Sequence, residues 1–174
     1  KGLGLNQMQV AKMVVRFPHL LSYSIENNLQ PTVDWIKGLG LNETQAAKVV
    51  ARLPPVLGCS IEDNLQPTVD WIKGVGLSQS DVAEAIVKFP QLVSLSVEQN
   101  LRGKHRLLLR FFPAGEVAKL VAGMPTLLGY SYARLQRRLD VLESCGELSK
   151  LASAMTLTRE AFDRRFPYAV AVEK

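Results

Sequence analysis

The chain has 174 residues, of which 47% are hydrophobic and 21% charged. This length suits one domain or one stretch of a longer array, and the composition excludes wholesale disorder, collagen-like repeats and a disulfide scaffold. Cys59 and Cys145 are the two cysteines, which fit a reducing compartment, and no apolar run approaches the roughly 18 residues of a membrane span. The formal net charge is +5, and the whole excess lies in residues 91–174. A basic half of this kind is compatible with a polyanionic partner.

A tandem repeat dominates the sequence. The first two units are identical at 25 of 36 positions, and the later units are more diverged. The units cover residues 3–38, 39–74, 75–111 and 112–146, followed by a partial unit over 147–174. A proline marks each period, at Pro18, Pro54, Pro90 and Pro125. We interpret residues 1–174 as a single repeat domain. Because the chain begins inside a repeat, we expect it to be a fragment of a longer array or a processed form.

One apolar stripe predicts the first helix of each unit. In the second unit, Asn42 occupies a capping position, and apolar side chains then recur at i, i+3, i+4 and i+7, the spacing of one helix face. This stripe consists of Ala46, Val49, Val50 and Leu53. Pro54 ends the helix, because the residue before a proline is pushed out of the α-helical region.

A turn and a second helix follow. Val56 and Leu57 form an apolar pair that we expect to insert into the core as a tight turn. Ser60 and Asp63 resemble a capping box at the start of the second helix. The second stripe consists of Leu65, Val69 and Ile72. These signals predict a helical hairpin in every unit.

The two ends of the second helix carry a proline and two glycines. Pro67 either kinks this helix or lies at its first position after a preceding turn. Gly74 and Gly76 are predicted to close the helix, because glycine readily adopts the left-handed conformation found there. One hairpin cannot bury its stripes alone, whereas stacked hairpins form a continuous core. The sequence therefore predicts an all-α fold, an α-solenoid of tandem helical repeats.

A motif of leucine, proline and tryptophan recurs in register. In the second unit it reads Leu53-Pro54-x-x-Leu57, then Leu65-x-Pro67, then Trp71-Ile72-x-x-x-Gly76-Leu77-Ser78. Its first part returns as Phe17-Pro18-x-x-Leu21, Phe89-Pro90-x-x-Val93 and Met124-Pro125-x-x-Leu128. This pattern resembles the mitochondrial transcription termination factor (mTERF) family. The tail from Leu157 to Pro167 also resembles the closing repeat of that family, so the resemblance covers nearly the whole chain.

The third unit departs from this pattern in two places. Leu101-Arg102-Gly103-Lys104 replaces the Leu-x-Pro element, and Arg110-Phe111-Phe112-Pro113 replaces the Gly-Leu-Ser turn. The departures bear on local geometry and not on the fold. The resemblance implies a curved, right-handed superhelix that binds nucleic acid in a mitochondrion or chloroplast. It also implies a role in transcription termination, initiation or RNA processing.

No group of residues predicts catalysis. His19 and His105 are the only histidines, and neither has a cysteine or aspartate at ligand spacing. Gly38 and Gly40 lack the spacing of a phosphate-binding loop, and Ser60 lacks the glycines of a nucleophile elbow. We expect no enzymatic activity, no cofactor, no metal ion, no small-molecule substrate and no membrane association.

Two tryptophans occupy the same place in the first two units. Trp35 and Trp71 have two interpretations, stacking on nucleic-acid bases and packing between repeats. Leu107 takes their place in the third unit, which favours packing.

Basic residues on the second helices of units three and four are the first candidates for binding. Arg102, Arg106 and Arg110 recur at i, i+4 and i+8 and point away from the stripe that contains Leu101, so they form one ridge. In unit four, Arg134 and Arg138 share one flank, and Arg137 lies nearly opposite the core. Lys104 matches Arg138 by its angle from the core. Ridges in successive repeats would follow a phosphate backbone, since the planar guanidinium suits phosphate oxygens. The alternative is an ordinary solvated helix face.

A sparser ladder lies on the first helices. Its members are Lys12, Arg16, Lys48, Arg52 and Lys88. Acidic residues intervene, including Glu84 where the earlier units have lysine, so this ladder is a secondary candidate. We predict a monomeric, non-enzymatic organellar gene-expression factor that binds double-stranded DNA by its backbone. RNA is the second choice of ligand, and a protein-binding scaffold is the rival class.

Overall fold

The structure is a computed structural model that describes residues 5–167. These residues form α-helices linked by 3-10 and π-helical turns, without a β-strand. The α-helices are α1 (Gln7–Arg16), α2 (Gln30–Gly38), α3 (Glu43–Arg52), α4 (Gln66–Gly74), α5 (Gln79–Lys88), α6 (Arg102–Leu109), α7 (Ala114–Gly123), α8 (Tyr132–Ser144), α9 (Leu151–Thr156) and α10 (Arg159–Arg165). The start of the chain and the end of the predicted partial unit, 168–174, lie outside the described residues. The predicted all-α helical-repeat solenoid is confirmed.

The first helix of the second unit begins and ends as its sequence predicts. Asn42 Oδ1 accepts a hydrogen bond from the backbone N–H of Gln45 at 2.9 Å, and the Gln45 side chain accepts one from the Asn42 N–H at 3.0 Å. This reciprocal pair satisfies two of the donors that a helix start leaves free. The helix ends at Arg52, and Leu53 then precedes the proline of the 3-10 turn Pro54–Gly58. Corresponding 3-10 turns are Pro18–Ser22, Pro90–Ser94 and Pro125–Gly129.

A π-helical turn leads into the second helix of the first three units. These turns are Ile25–Leu29, Ile61–Leu65 and Val97–Leu101. In the second unit, the N–H of Leu65 donates to the carbonyl of Ser60, five residues earlier, at 3.1 Å. This wider turn accommodates Pro67, which lacks an N–H and would clash with the carbonyl four residues back in a regular helix. Pro67 is the second residue of α4, after a preceding turn and one position later than the second alternative placed it.

Unit four lacks this π-helical turn, because α8 begins directly after its cap Ser131. The first buried leucine is five residues after the cap in unit three (Ser96 to Leu101) and four residues after it in unit four (Ser131 to Leu135). One residue is thus missing, so positions in α8 correspond to positions in α6 at an offset of 34. Leu108 and Leu142 form another such pair, and both are fully buried.

Only one of the two glycines predicted to close α4 has the left-handed conformation. Gly74 is the last residue of α4, whereas Gly76 has φ +106°. The prediction for Gly74 is corrected in this respect. In unit three the corresponding turn contains no glycine, and Phe112 is buried where Leu77 is buried in unit two. The change of turn sequence leaves the stacking of α7 on α5 intact.

The core runs between stacked units. Corresponding positions on three first helices, Ala46, Val82 and Val117, are fully buried, whereas Val10 on α1 is 45% exposed. Leu57 is likewise buried and its counterpart Leu21 is 76% exposed. Burial at these positions therefore depends on the preceding unit, as expected of a solenoid. No helix within residues 5–167 is long and apolar enough to cross a membrane.

Candidate nucleic-acid interface

The three arginines predicted to form a ridge on α6 are exposed. Arg102 pairs with Glu98 at 2.9 Å, and the Arg110 guanidinium lies 5.7 Å from the centre of the Phe111 ring. Arg106 makes no ion pair with any residue in 5–167. Arg110 makes no ion pair there either. Exposure therefore agrees with the predicted ridge, and no carboxylate compensates the charges of Arg106 and Arg110 within residues 5–167.

The ridge does not continue into the neighbouring units. The positions of Arg102 and Arg106 hold a glutamine and an aspartate in the other units, at Gln30 and Asp34, Gln66 and Asp70, and Gln136 and Asp140. In each case the glutamine amide donates to the aspartate, at 2.9, 2.8 and 2.7 Å respectively. The prediction of matching arginine ridges in units three and four is corrected. The missing residue in unit four places Arg134 and Arg138 at different positions from Arg102 and Arg106.

Lys104 is not on the surface. Its side chain is 4% exposed, and its ammonium donates to the Asn100 side chain and to the carbonyl of Leu128 in unit four. Burial lowers the pKa of this ammonium below its ordinary value. The prediction that Lys104 contacts phosphate from an outward ridge is therefore wrong, because the group is enclosed by protein. Lys104 and Arg138 do share one angle from the core around their helix axes, as predicted, but side chains at that angle are buried.

That position is polar in all four units. The buried polar side chains among the described residues are Thr32, Thr68, Lys104 and Arg138, which are equivalent by repeat. Thr68 donates to the carbonyl of Leu95 in the next unit at 3.2 Å, as Lys104 does to that of Leu128. We define this set as the buried polar column. Thr68, Lys104 and Arg138 each link the second helix of one unit to a segment of the next, whereas Thr32 donates to the carbonyl of Asn28 in its own unit.

Arg138 and Arg134 hold the end of α9. Arg138, 3% exposed, donates to the carbonyl of Ala154, to that of Leu157 at 2.8 Å, and stacks over Phe162 at 4.7 Å. Arg134 donates to the carbonyls of Met155 and Leu157 at 2.9 and 2.8 Å. Carbonyls at the end of a helix lack donors from a following turn, and the arginines supply donors here; the Ala154 carbonyl also accepts from the backbone N–H of Leu157 at 3.2 Å. Arg138 was predicted to bind phosphate from the flank that it shares with Arg134, whereas these contacts enclose its guanidinium.

Arg137 and Arg159 complete a cluster that the sequence did not reveal in full. Arg137 pairs with Asp163 at 2.9 Å, and Arg159 lies 3.9 Å from the same carboxylate. A cavity of about 320 Å³ lies between α8 and the start of α10, lined by Ala133, Arg134, Arg137, Arg138 and Arg159. We define these four arginines as the arginine pocket. Arg159 was missed because it is 21 or more residues from the others, and only the packing of α10 brings it near.

The ladder on the first helices is exposed throughout. Lys12 and Lys48 are equivalent by repeat, as are Arg16, Arg52 and Lys88. Lys119 on α7 matches Lys12 and Lys48 and extends the set, which we name the first-helix row: Lys12, Arg16, Lys48, Arg52, Lys88 and Lys119. Two members also bond to protein. Arg52 donates to the carbonyl of Val87 at 3.0 Å, and Lys88 pairs with Glu84 at 3.3 Å.

The tryptophans pack between repeats. Trp35 Nε1 donates to the Gln66 side chain of the next unit at 2.8 Å, and Trp71 meets the His105 ring edge-on at 5.6 Å between centres. Burial lowers the pKa of His105. Both tryptophans are half-buried against the core, which agrees with packing rather than with an open stacking platform.

The stacked helical hairpins place this chain in the class of α-solenoid repeat proteins. The family model described as mTERF matches residues 1–163, and the chain belongs to the mTERF family. No curated protein matches the sequence significantly. Membership of this family suggests an organellar, nucleic-acid-binding factor of gene expression rather than an enzyme, in a mitochondrion or a chloroplast.

Proposed function

We propose that this protein binds double-stranded DNA as a monomer and regulates or terminates organellar transcription. The observation that carries the proposal is the first-helix row, whose exposed cations recur at equivalent positions on four stacked first helices. Lys12, Arg16 and Lys48 make no ion pair within the described residues. A row that crosses successive repeats matches an extended polyanion better than a patch confined to one unit does.

The α6 ridge provides a second surface. Arg102, Arg106 and Arg110 lie on a second helix, in the other layer of the solenoid. The units on either side hold an aspartate at the position of Arg106 and no cation at the other two positions. We assign to this ridge additional phosphate contacts made by a single repeat. Sequence preference then comes from a minority of base contacts or from DNA deformability.

Salt-titrated binding tests the class of ligand. Matched duplex DNA, single-stranded DNA and RNA are compared with the full chain. On the duplex, log affinity should fall linearly with log salt, with a slope of about −0.9 per neutralised phosphate, and about −0.7 on single strands. Tighter and steeper binding to RNA than to duplex DNA would replace DNA by RNA in the proposal.

A charge-matched pair of variants tests the surface. Lys12→Gln with Lys48→Gln removes two unpaired cations of the first-helix row. Lys73→Gln with Arg164→Gln removes two exposed cations elsewhere. The row variant should lose about two units of salt slope, counted as one phosphate contact per cation. Equal losses of salt slope in the two double variants would contradict the assignment of phosphate binding to the first-helix row.

A protein-binding scaffold is the second candidate. It is favoured by the apolar surface of the first unit, where Val15, Leu21 and Ile25 are 81%, 76% and 69% exposed. Apolar association depends little on salt, in contrast to phosphate binding. Absence of nucleic-acid binding even at low salt would favour this class.

A further inference from the structure

The arginine pocket lies where units four and five meet. Three of its members come from α8 at positions i, i+3 and i+4, which places Arg134, Arg137 and Arg138 on one face of that helix. The fourth, Arg159, is the first residue of α10. Together they line the concave space of about 320 Å³. The four cations therefore border one volume, at which Arg138 is buried and Arg159 is exposed to solvent.

The positive charge of this pocket is only partly compensated. Asp163 is the carboxylate that pairs with its arginines among the described residues, with Arg137 at 2.9 Å and with Arg159 at 3.9 Å. Four cations thus meet one anion. Burial, followed by the neighbouring charges of Arg134 and Arg137, lowers the pKa of Arg138, as expected where like charges are close.

The backbone contacts hold two arginines in place and leave donor capacity. Arg134 stacks over the Tyr130 ring at 4.6 Å while one of its terminal nitrogens donates to two carbonyls. Its Nε is enclosed and has no hydrogen-bond partner. Capping of α9 accounts for Arg134 and Arg138, but it accounts for neither Arg137 nor Arg159.

We propose that the arginine pocket is a binding site for one phosphate group. Arginine forks donate paired hydrogen bonds to tetrahedral oxyanions, and Arg134 and Arg138, which backbone contacts already hold in place, lose little entropy on binding. The phosphate is supplied either by bound nucleic acid, as an internal diester or a terminal monoester, or by a free phosphate compound. The nucleic-acid sources rest on the proposed function, whereas the site itself does not.

Inorganic phosphate tests the site directly. The full chain is titrated while the arginine Nε–H resonances are followed by NMR. Arg137→Gln with Arg159→Gln should weaken saturable phosphate binding about tenfold or more, the loss expected for charge-assisted hydrogen bonds. Two single variants serve as controls: Arg164→Gln removes a cation of α10 outside the pocket, and Asp163→Asn removes the competing carboxylate.

The expected pattern is unchanged affinity for Arg164→Gln and tighter phosphate binding for Asp163→Asn. A gain of affinity cannot result from misfolding, so it separates a binding role from a structural one. The proposal would be overturned if the chemical-shift changes of the wild-type chain did not saturate with phosphate. It would also be overturned if the double variant and Arg164→Gln bound phosphate with equal affinity.

Three duplexes distinguish the sources of the phosphate: a closed circle, a linear duplex with 5′-phosphates and the same duplex with 5′-hydroxyls. If Arg137→Gln with Arg159→Gln lowers the affinity for all three duplexes, the pocket binds an internal diester. If it lowers only the affinity for the duplex with 5′-phosphates, the pocket binds a terminal monoester. Phosphate binding without DNA or RNA binding supports a free phosphate ligand and refutes the proposed function alone. DNA binding with no phosphate site refutes the pocket and leaves the proposed function standing.

Discussion

The ammonium of Lys104 donates to the main-chain carbonyl of Leu128, 24 residues further along the chain and in the next repeat. Thr68 makes the equivalent bond to Leu95, and Arg138 bonds to Leu157 beyond unit four. Three members of the buried polar column therefore donate to carbonyl groups of the segment that follows their own unit. Unmade bonds of this kind cost about 1–3 kcal/mol each, so the column contributes to the alignment of consecutive repeats.

Lys104 and Arg106 should behave in opposite ways when replaced by alanine. Lys104→Ala leaves the Leu128 carbonyl and the Asn100 side chain without their donor and opens a small cavity, which should cost about 2–4 kcal/mol of unfolding free energy. It should leave the salt slope of DNA binding unchanged. Arg106→Ala should preserve stability and reduce that slope by about one unit if the α6 ridge contacts phosphate. Urea denaturation and salt-titrated binding measure the two effects, and a lowered slope for Lys104→Ala would contradict the buried assignment.

The stability of the chain should depend on pH through Lys104. Its pKa is lowered by burial, so between that value and the ordinary lysine pKa the unfolded chain binds more protons than the native chain. The contribution of Lys104 to the free energy of unfolding therefore rises with pH up to about 10.4, and it does not change with pH below the native pKa. Urea denaturation from about pH 8 to 10 should show a more positive slope for the wild-type chain than for Lys104→Met.

The comparison with Lys104→Met also removes a competing contribution. Burial raises the pKa of the Cys59 thiol, which makes stability fall with pH over a similar alkaline range. Because Cys59 is present in both proteins, its contribution cancels in their difference. If the plots of unfolding free energy against pH were parallel for the wild-type chain and Lys104→Met, Lys104 would have an ordinary pKa.

Two glycines of one turn should respond oppositely to alanine. Gly74→Ala should raise stability by about 0.4–1 kcal/mol, because this residue is helical and an added Cβ meets nothing within 4 Å. Gly76→Ala should lower stability by about 1–2 kcal/mol, because its φ of +106° is unfavourable for a residue with a Cβ. Thermal denaturation of both variants provides the check, and the same sign of change for both would contradict it.

Removal of Arg138 should affect the end of the solenoid first. Arg138→Leu removes one of the donors to each of the Ala154 and Leu157 carbonyls and the cation stacked over Phe162, so we expect a loss of about 1–3 kcal/mol of stability around α9 and α10. Hydrogen exchange should accelerate in those helices before it does in α3 to α5. Arg164→Leu, on the exposed side of α10, is the control and should leave exchange unchanged. Uniform acceleration along the chain would instead show that the repeats unfold together.

Local sequence was sufficient for the helices of each repeat. Asn42 and Pro54 bound α3 through backbone effects that act within a few residues, and the apolar spacing between them marks the buried face. It was not sufficient for Pro67, since two local geometries were compatible with a proline there. The choice between them depends on the π-helical turn Ile61–Leu65.

The candidate site was predicted less completely than the fold. The position of Arg106 around the axis of α6 correctly predicted its exposure, because that face of the helix meets no other unit. The same reasoning failed for Lys104 and Arg138, whose burial is caused by segments 16 to 24 residues away along the chain. Arg159 carried no signal, because its neighbours in the arginine pocket belong to a different helix.

The amino-acid sequence by itself determined the repeat, its period, the helix ends and the family, because these depend on interactions within one unit or on its recurrence. The tertiary structure decided which cations face solvent. A charged side chain at a given helix angle is exposed or buried according to what the next unit places over it. Lys104 and Arg106 are two residues apart on one helix, and only the stacking of unit four makes the first an internal hydrogen-bond donor and leaves the second on the surface.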